Sequence, residues 1–513
     1  MNTTIYNQLL NKIVENQFGK TVSQITHHLL IKPQTIFELW KSTQLPHQKL
    51  YEALLVLLQH NILLYSDETP ITLYIDQNQI LFSLNHPHFI ALMNRKYGEI
   101  GKNIAMTLIS YGMLNFDDIY AVMNTKYEDI KENDVKEVFD EMIKGTYIVK
   151  VQRNVVDVFQ MDKTSNQAPS FTTMKSNEVK KKGKRGKIDT NSVSETKLKK
   201  KDESSLKNAQ MKKKQSGENL NNLNNNSNDL NVKEEQVENV TEPLWKINIT
   251  EYNKEVVLFK LLDMVNKKFS DRAVPIIEKM WELSAGGKTP VEFNQLAMNV
   301  KEVTPDTIRK YLEIMSRDEP FIVAKNQTAV MTETNSFKLQ VDAATAYLKG
   351  TMIEKCIECK YGIIGTSIHR VLKIKHCLTD TQIANLLIGD IDEIRPVLFK
   401  MHQNGYISGQ EIPRSNIRGG KNSYYMWTVN FAQLNAILLN ETIKALMNTM
   451  ERYRMEVSSK ADLIAKYHEG EMIGKILFDE EENQEYFDLD RRQNMLLDAQ
   501  YYLSSLFFCL KDF

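Results

Sequence analysis

Apolar positions recur along most of this chain at helical spacings of three and four, and at four places that rhythm gives way to short runs in which apolar residues stand together. Self-similarity on this scale marks a repeated structural unit. In the first copy, Thr35–Trp40 predicts a short amphipathic helix, Thr43–Pro46 a turn, and Gln48–His60 a second helix with Leu50, Leu54, Leu57 and Leu58 on one face. Ile62–Tyr65 and Gln79–Phe82 then read as two short strands. The second copy runs from Phe116, Ile119 and Met123 through a helix bearing Val138, Met142 and Ile143 into strands at Tyr147–Val151 and Val155–Phe159.

The third copy uses Phe293 and Leu296, then Thr304-Pro305-Asp306 as a helix start with proline in its first turn, then Ile308, Leu312 and Met315, and a strand at Phe321–Val323 with a wing to about Asn335. The fourth uses Ile383 and Leu386, then Ile394, Leu398 and Met401, then Gly405–Ile407, a long loop over Pro413–Asn422, and Tyr424–Val429. Helix, turn, helix and β-hairpin is the winged variant of helix-turn-helix. Further amphipathic helices, Gly101–Tyr111 and Ile353–Ile374, precede the second and fourth copies.

After Phe431 the period changes to heptads. Leu439, Ile443, Leu446, Met450, Tyr453, Val457, Lys460 and Ile464 form one series, and Leu489, Gln493, Leu496, Gln500, Leu503, Phe507 and Leu510 another, with Gly470, Gly474 and the acidic run 479–482 between them. The expected fold is mainly α with small β wings (α+β): four tandem winged-helix domains followed by an antiparallel coiled-coil hairpin. The expected boundaries are 1–85, 86–162, 243–335 and 336–432 for the winged helices and 433–513 for the hairpin. Residues 163–242, where Lys, Asn, Ser and Glu displace apolar residues, read as a disordered linker.

Charge decides what these units meet. The chain holds 65 basic and 65 acidic residues, so any polyanion contact must be local. Residues 1–85 carry net −1, 86–162 net −3, the linker +6, 243–335 zero, 336–432 +4, and 433–513 net −6. Phosphate neutralisation supplies most sequence-independent DNA affinity, so the acidic units read as protein-docking surfaces. DNA-contact candidates are Arg414, Arg418 and Lys421 in the fourth wing, beside Tyr424 and Tyr425, and Lys301, Arg309 and Lys310 around the second helix of the third copy; a solvated surface is the alternative for each. Lys180, Lys181, Lys182, Lys184, Arg185 and Lys187 read as a nuclear-import signal or a polyanion patch, against a merely solvated linker.

Four cysteines in 513 residues give no disulfide framework and fit a reducing compartment. No run of about 18 apolar residues occurs, so no membrane segment is expected. Gly286-Gly287-Lys288-Thr289 and Gly419-Gly420-Lys421-Asn422 end like phosphate-binding loops but lack the leading glycine, having Glu282 and Ser415 there. Cys356 and Cys359, with His369, His376 and Cys377 downstream, lack a second spaced pair and read as the packed face of a helix rather than a zinc site. With no hydrolase, metalloprotease or dinucleotide motif either, no catalytic site, metal or cofactor is expected.

Particular segments resemble one family. They are Gln17-Phe18-Gly19 with Ala53–Asn61; His86-Pro87-His88-Phe89-Ile90, where histidines stand in place of the family's basic residues; Leu244–Asn248 with Phe269–Ala273; and Gln410–Pro413 with Tyr425–Asn430. The chain resembles the winged-helix subunit specific to RNA polymerase III, itself similar to the alpha subunit of general transcription factor E. The resemblance implies a nuclear, non-catalytic subunit of the polymerase III-specific heterotrimer, near the clamp. Its partners would be other polymerase subunits, initiation factors and promoter DNA, in the synthesis of tRNA, 5S rRNA and other small RNAs, with no membrane or small-molecule substrate. The alternatives are a stand-alone winged-helix regulator of duplex DNA, which the acidic second helix at Glu132–Glu141 disfavours, and a ubiquitin-ligase or proteasome-lid type scaffold, which calls for a long helical-repeat array that this sequence does not show.

Overall fold

A computed structural model of the chain describes residues 3–66, 70–126, 131–151, 243–325, 336–413, 423–473 and 479–512. Helices α1 (Thr3–Phe18) and α2 (Lys20–Ile31) pack on each other, with Leu9, Leu10, Ile13, Val22 and Ile25 buried. The first winged helix follows as β1 (Gln34–Thr35), α3 (Ile36–Thr43), α4 (His47–Gln59), β2 (Leu63–Tyr65) and β3 (Thr72–Ile75). Helix α3 starts where Thr35 accepts the amide of Glu38 and Glu38 accepts the amide of Thr35, a reciprocal cap worth about 1 kcal/mol.

The predicted second strand at Gln79–Phe82 is not a strand. Leu73 points in and Tyr74 out, so the alternation that makes a half-buried strand lies at Thr72–Ile75. Residues Gln77–Phe82 form helix α5, begun by the Asp76 carboxylate accepting the amides of Asn78 and Gln79.

The second winged helix comprises α6 (His86–Tyr111), α7 (Phe116–Lys126), α8 (Glu132–Lys144) and β4 (Ile148–Lys150). Its wing is closed by β5 (Trp245–Ile247), which pairs antiparallel with β4, Ile148 opposite Ile247. Leu114 bridges to Trp245 on the other side. Trp245–Ile247 therefore completes the second unit instead of opening the third, and the basic Lys/Asn-rich stretch runs between two paired strands of one wing. The predicted linker, its import run, and the predicted strand Val155–Phe159 lie outside the described residues.

Helix α9 (Ile249–Lys268) leads to α10 (Val274–Leu283), β6 (Val291–Glu292), α11 (Phe293–Asn299), α12 (Pro305–Arg317), β7 (Val323–Lys325) and β8 (Ser336–Leu339). The third wing thus returns one step past its predicted end at Asn335, because Phe337 and Leu339 face the core and Lys338 faces out. The fourth unit is α13 (Val341–Lys375), β9 (Cys377–Thr379), α14 (Asp380–Leu387), α15 (Ile391–Gln403), β10 (Ser408–Pro413) and β11 (Ser423–Thr428). All four sheets share one order: the strand or bridge ahead of the helix pair, then the last wing strand, then the first.

Helices α16 (Phe431–Ser459), α17 (Ala461–Ile473) and α18 (Glu480–Asp512) end the chain. Antiparallel pairing of α16 with α18 follows from Asn435, which donates to the Leu510 carbonyl, and from ion pairs of Glu456 with Arg492 and Lys460 with Glu485. Leu439, Ile443, Leu446 and Met450 are buried on one helix, Leu489, Phe507 and Leu510 on the other. The first heptad series does not run unbroken to Ile464, since helix α16 stops at Ser459 before Lys460. Among the described residues no helix is long and apolar enough to cross a membrane.

Two long helices break at glycine. Gly98 in α6 has φ +68° and ψ −162°, and Gly362 in α13 has φ +69° and ψ −166°, a region that side chains other than glycine all but never enter. A Cβ at either position would meet nothing within 4 Å, so the restriction is in the backbone alone. Gly98→Ala and Gly362→Ala are each expected to lower stability by about 1–3 kcal/mol, read from urea unfolding of the full chain.

Candidate functional site

The glycine breaks sit in a repeated hexapeptide. Lys96-Tyr97-Gly98-Glu99-Ile100-Gly101 in α6 matches Lys360-Tyr361-Gly362-Ile363-Ile364-Gly365 in α13 at five of six positions. Each lysine leads to the same cluster. Lys96 Nζ donates to the Tyr147 hydroxyl at 2.6 Å and pairs with Glu255 at 2.8 Å, and the hydroxyl donates to the other Glu255 oxygen at 3.2 Å. Lys360 Nζ donates to the Tyr406 hydroxyl at 3.2 Å and pairs with Glu441 at 2.8 Å, and that hydroxyl donates to Glu441 at 2.7 Å. Both ammoniums also lie over the tyrosine ring, at 5.0 and 4.6 Å.

Tyr147 and Tyr406 occupy the same place, immediately after the left-handed residue that ends the second helix of the winged unit: Thr146 (φ 59°) and Gly405 (φ 77°). In each, the tyrosine amide closes the helix on a carbonyl five residues back, Met142 or Met401. Glu255 and Glu441 come from the helix that follows, α9 or α16. The cluster therefore ties three pieces together: the kinked helix before the winged unit, the start of its wing, and the helix after it. Burial, and then the nearby glutamate, push both phenols above their usual range, so they stay protonated donors. Hydrogen bonds involving charged groups contribute about 1.5–3 kcal/mol each.

The acidic face expected to repel DNA is present as a surface: Glu132, Asp134, Glu137, Asp140 and Glu141 are all exposed along α8. Lys301, in the turn between α11 and α12, and Arg309 and Lys310 on α12 are exposed as well, with the Arg309 guanidinium 4.8 Å over the Phe293 ring. Arg414, Arg418 and Lys421 lie outside the described residues.

His86 and His88 do not stand as phosphate-binding cations. Burial, followed by the charge of His60, lowers His86 to about 4, and its ring lies edge-on to Phe82. Burial also lowers His88, which stacks on Tyr501 at 5.5 Å. Cys356 is raised to about 11 by burial, which disfavours the thiolate a metal needs. Among the described residues no three His, Cys, Asp or Glu side chains converge to hold a metal. Gly286 and Gly287 form the turn after α10, where the Ser284 hydroxyl accepts the Gly287 amide.

Four helix pairs, each with a small antiparallel wing of one topology, define a tandem winged-helix protein. Residues 8–68 match the RNA polymerase III subunit RPC82 helix-turn-helix domain, and residues 353–429 match a domain described as POLR3C, C-terminal winged-helix domain. Along 91% of its length the chain is similar to DNA-directed RNA polymerase III subunit RPC3 of Mus musculus (21% identical) and of Homo sapiens (20% identical), taking in 87% of each. It is 27% identical to subunit rpc3 of Dictyostelium discoideum over 44% of this chain, an alignment spanning 36% of that relative. The chain is thus similar to winged-helix subunits of DNA-directed RNA polymerase III, in two of its domains and along most of its length.

Two predictions follow the geometry. Tyr406→Phe removes the hydroxyl between two charges, while Tyr406→Phe combined with Lys360→Met and Glu441→Gln removes the charges too. The single change is expected to cost about 1–3 kcal/mol and the triple change less than the sum of its parts, in urea unfolding. Burial lowers His369 to about 4, and among the described residues its Nδ1 has no hydrogen-bond partner. The unfolded imidazole, near its ordinary 6.5, takes up protons that the folded one refuses. Stability is therefore unaffected above about pH 7 and falls between about 6.5 and 4, by a limit on the order of 3 kcal/mol. The slope of unfolding free energy against pH in that window should shrink in His369→Leu.

Proposed function

We propose that the chain acts as a non-catalytic, nuclear subunit of RNA polymerase III that docks partner subunits and initiation factors and assists promoter DNA binding and opening for synthesis of tRNA, 5S rRNA and other small RNAs. The observation that carries this reading is a full-length relationship to polymerase III subunits in a chain whose second recognition helix is an exposed acidic surface. Such a helix cannot neutralise phosphate, so in this unit the DNA-reading fold is turned to protein contact.

The division of labour follows charge. The first and second winged helices and the terminal helical pair, which we read as a coiled-coil hairpin, carry net negative charge and meet other subunits of the heterotrimer and clamp. The sequence places excess basic charge in two wing insertions: the stretch with Lys180, Lys181, Lys182, Lys184, Arg185 and Lys187, and the fourth wing with Arg414, Arg418 and Lys421. These are the proposed nuclear-import and DNA-contact segments, with Lys301, Arg309 and Lys310 a weaker third. We take the winged units as 1–85, 86–151 closed by 245–247, the third through β8, and 341–429.

Affinity purification of the chain from nuclear extract should recover polymerase III subunits in stoichiometric amounts; recovery of the chain without them would overturn the reading. In the assembled polymerase, alanine at Arg414, Arg418 and Lys421 together should reduce the salt slope of promoter association by about two to three counterions, and an unchanged slope removes the fourth wing from the DNA path.

A further inference from the structure

The turn between α14 and α15 carries a residue that its backbone does not require. Ile388 has φ +52° and is 95% exposed. A β-branched side chain is strained in the left-handed region, and an exposed isoleucine forgoes the burial that stabilises the rest of the fold. The first winged helix makes the same turn with a polar residue: Gln44, φ 54°, after α3. The two turns are comparable, because α3 and α14 each have eight residues and each starts with a threonine capping box, Thr35 with Glu38 and Thr379 with Gln382. In these two units the turn asks for a left-handed residue, not for isoleucine.

The surroundings narrow what covers it. Leu386, in the last turn of α14, is 50% exposed, while Ile383 and Ala384 supply the buried face of that helix. Asp390, Asp392 and Glu393 follow at once, all exposed. Asp390 caps α15 by accepting the Asp392 amide. The acids suit the positive end of the helix, and among the described residues no ion pair engages Asp392 or Glu393. In a DNA-reading winged helix this end approaches phosphates. Here it would bring carboxylates to them.

We infer that Ile388 and Leu386 form an apolar knob, flanked by Asp390, Asp392 and Glu393, that docks into an apolar pocket bordered by lysine or arginine on another polypeptide of the assembled polymerase. The inference rests on the polymerase-subunit reading and adds to it a second face of the fourth winged helix: the wing turns to DNA, the helix-turn-helix corner to protein.

The test uses the full-length chain carrying a benzophenone photo-crosslinker at position 388, incorporated into polymerase III depleted of this subunit and loaded on promoter DNA, with a matched probe at the exposed Thr381 as reference. Wild-type incorporation checks the underlying reading, and its failure overturns both. Given incorporation, irradiation should join position 388 to another polypeptide at a segment holding Lys or Arg; an adduct to DNA, or none above the Thr381 reference, overturns the knob. Ile388→Gly separates docking from folding, because glycine relieves the left-handed backbone. Its melting temperature should not fall, while its affinity for the depleted polymerase drops at least tenfold. Unchanged affinity in both Ile388→Gly and Leu386→Ser would overturn the proposal, and Asp392→Asn with Glu393→Gln should flatten the salt dependence of incorporation.

Discussion

Two buried phenols, each held between a lysine and a glutamate, decide where the chain goes after its second and fourth winged helices. The Tyr147 cluster fixes Glu255, on the second turn of helix α9, to α6. The rest of α9 then has a defined direction. Tyr252 near its start packs with Phe82 and Phe89 in the second core, while Leu261, Met264 and Val265 near its end belong to the third core with Ile276 and Ile308. One helix therefore serves two hydrophobic cores, and the third unit inherits its placement from the second. The Tyr406 cluster repeats the arrangement for α16, which packs on α1 through Lys12 with Glu451 and Arg454 with Glu15. The C-terminal helices return in this way to the first helix of the chain.

The same frame explains how a fold built for DNA can carry surfaces that repel it. Winged-helix stability comes from the inner face of each helix pair, Val135, Phe139 and Met142 in α8 or Ile394, Leu398 and Met401 in α15. The outer face is free to vary, and surface changes of charge cost little while the inner stripe is kept. Acidic residues fill that outer face on α8 and the first turn of α15.

Periodicity made the helix pairs legible, because their buried stripes are long and regular: Leu50, Leu54, Leu57 and Leu58, or Ile308, Leu312 and Met315, stand at helical spacing and are buried as read. The short strands were less legible. Gln79–Phe82 has the apolar density of a strand, but three consecutive buried residues capped by Asp76 serve a helix equally well, and only alternation at Leu73 and Tyr74 marks the true one. The pairing of β4 with Trp245–Ile247 was invisible to a local reading, since sequence patterns carry no signal across so long an interval. The lysine–tyrosine–glutamate clusters had a signal that local reading passed over: the hexapeptide recurring at 96–101 and 360–365. What its lysines bind is set by residues over forty positions away, Tyr147 and Tyr406, and further still by Glu255 and Glu441.

That long interval inside the second wing is physically cheap. Loop-closure entropy grows only with the logarithm of length, each doubling costing about 0.6 kcal/mol. The returning strand offsets this by what it brings. Trp245 lies edge-on to Phe139 at 5.5 Å, and Ile247 and Ile249 pack on the same core. Asn248 accepts a position at the foot of the wing by donating to the Thr146 carbonyl and to that of Tyr147, the residue at the centre of the clamp. A wing can thus lengthen without loosening the scaffold so long as its two feet are pinned, and the second wing is pinned at both feet by the cluster that also sets α9. Variation in length and charge can thereby be confined to the segments between the strands of a wing, while the geometry between cores is held by buried groups.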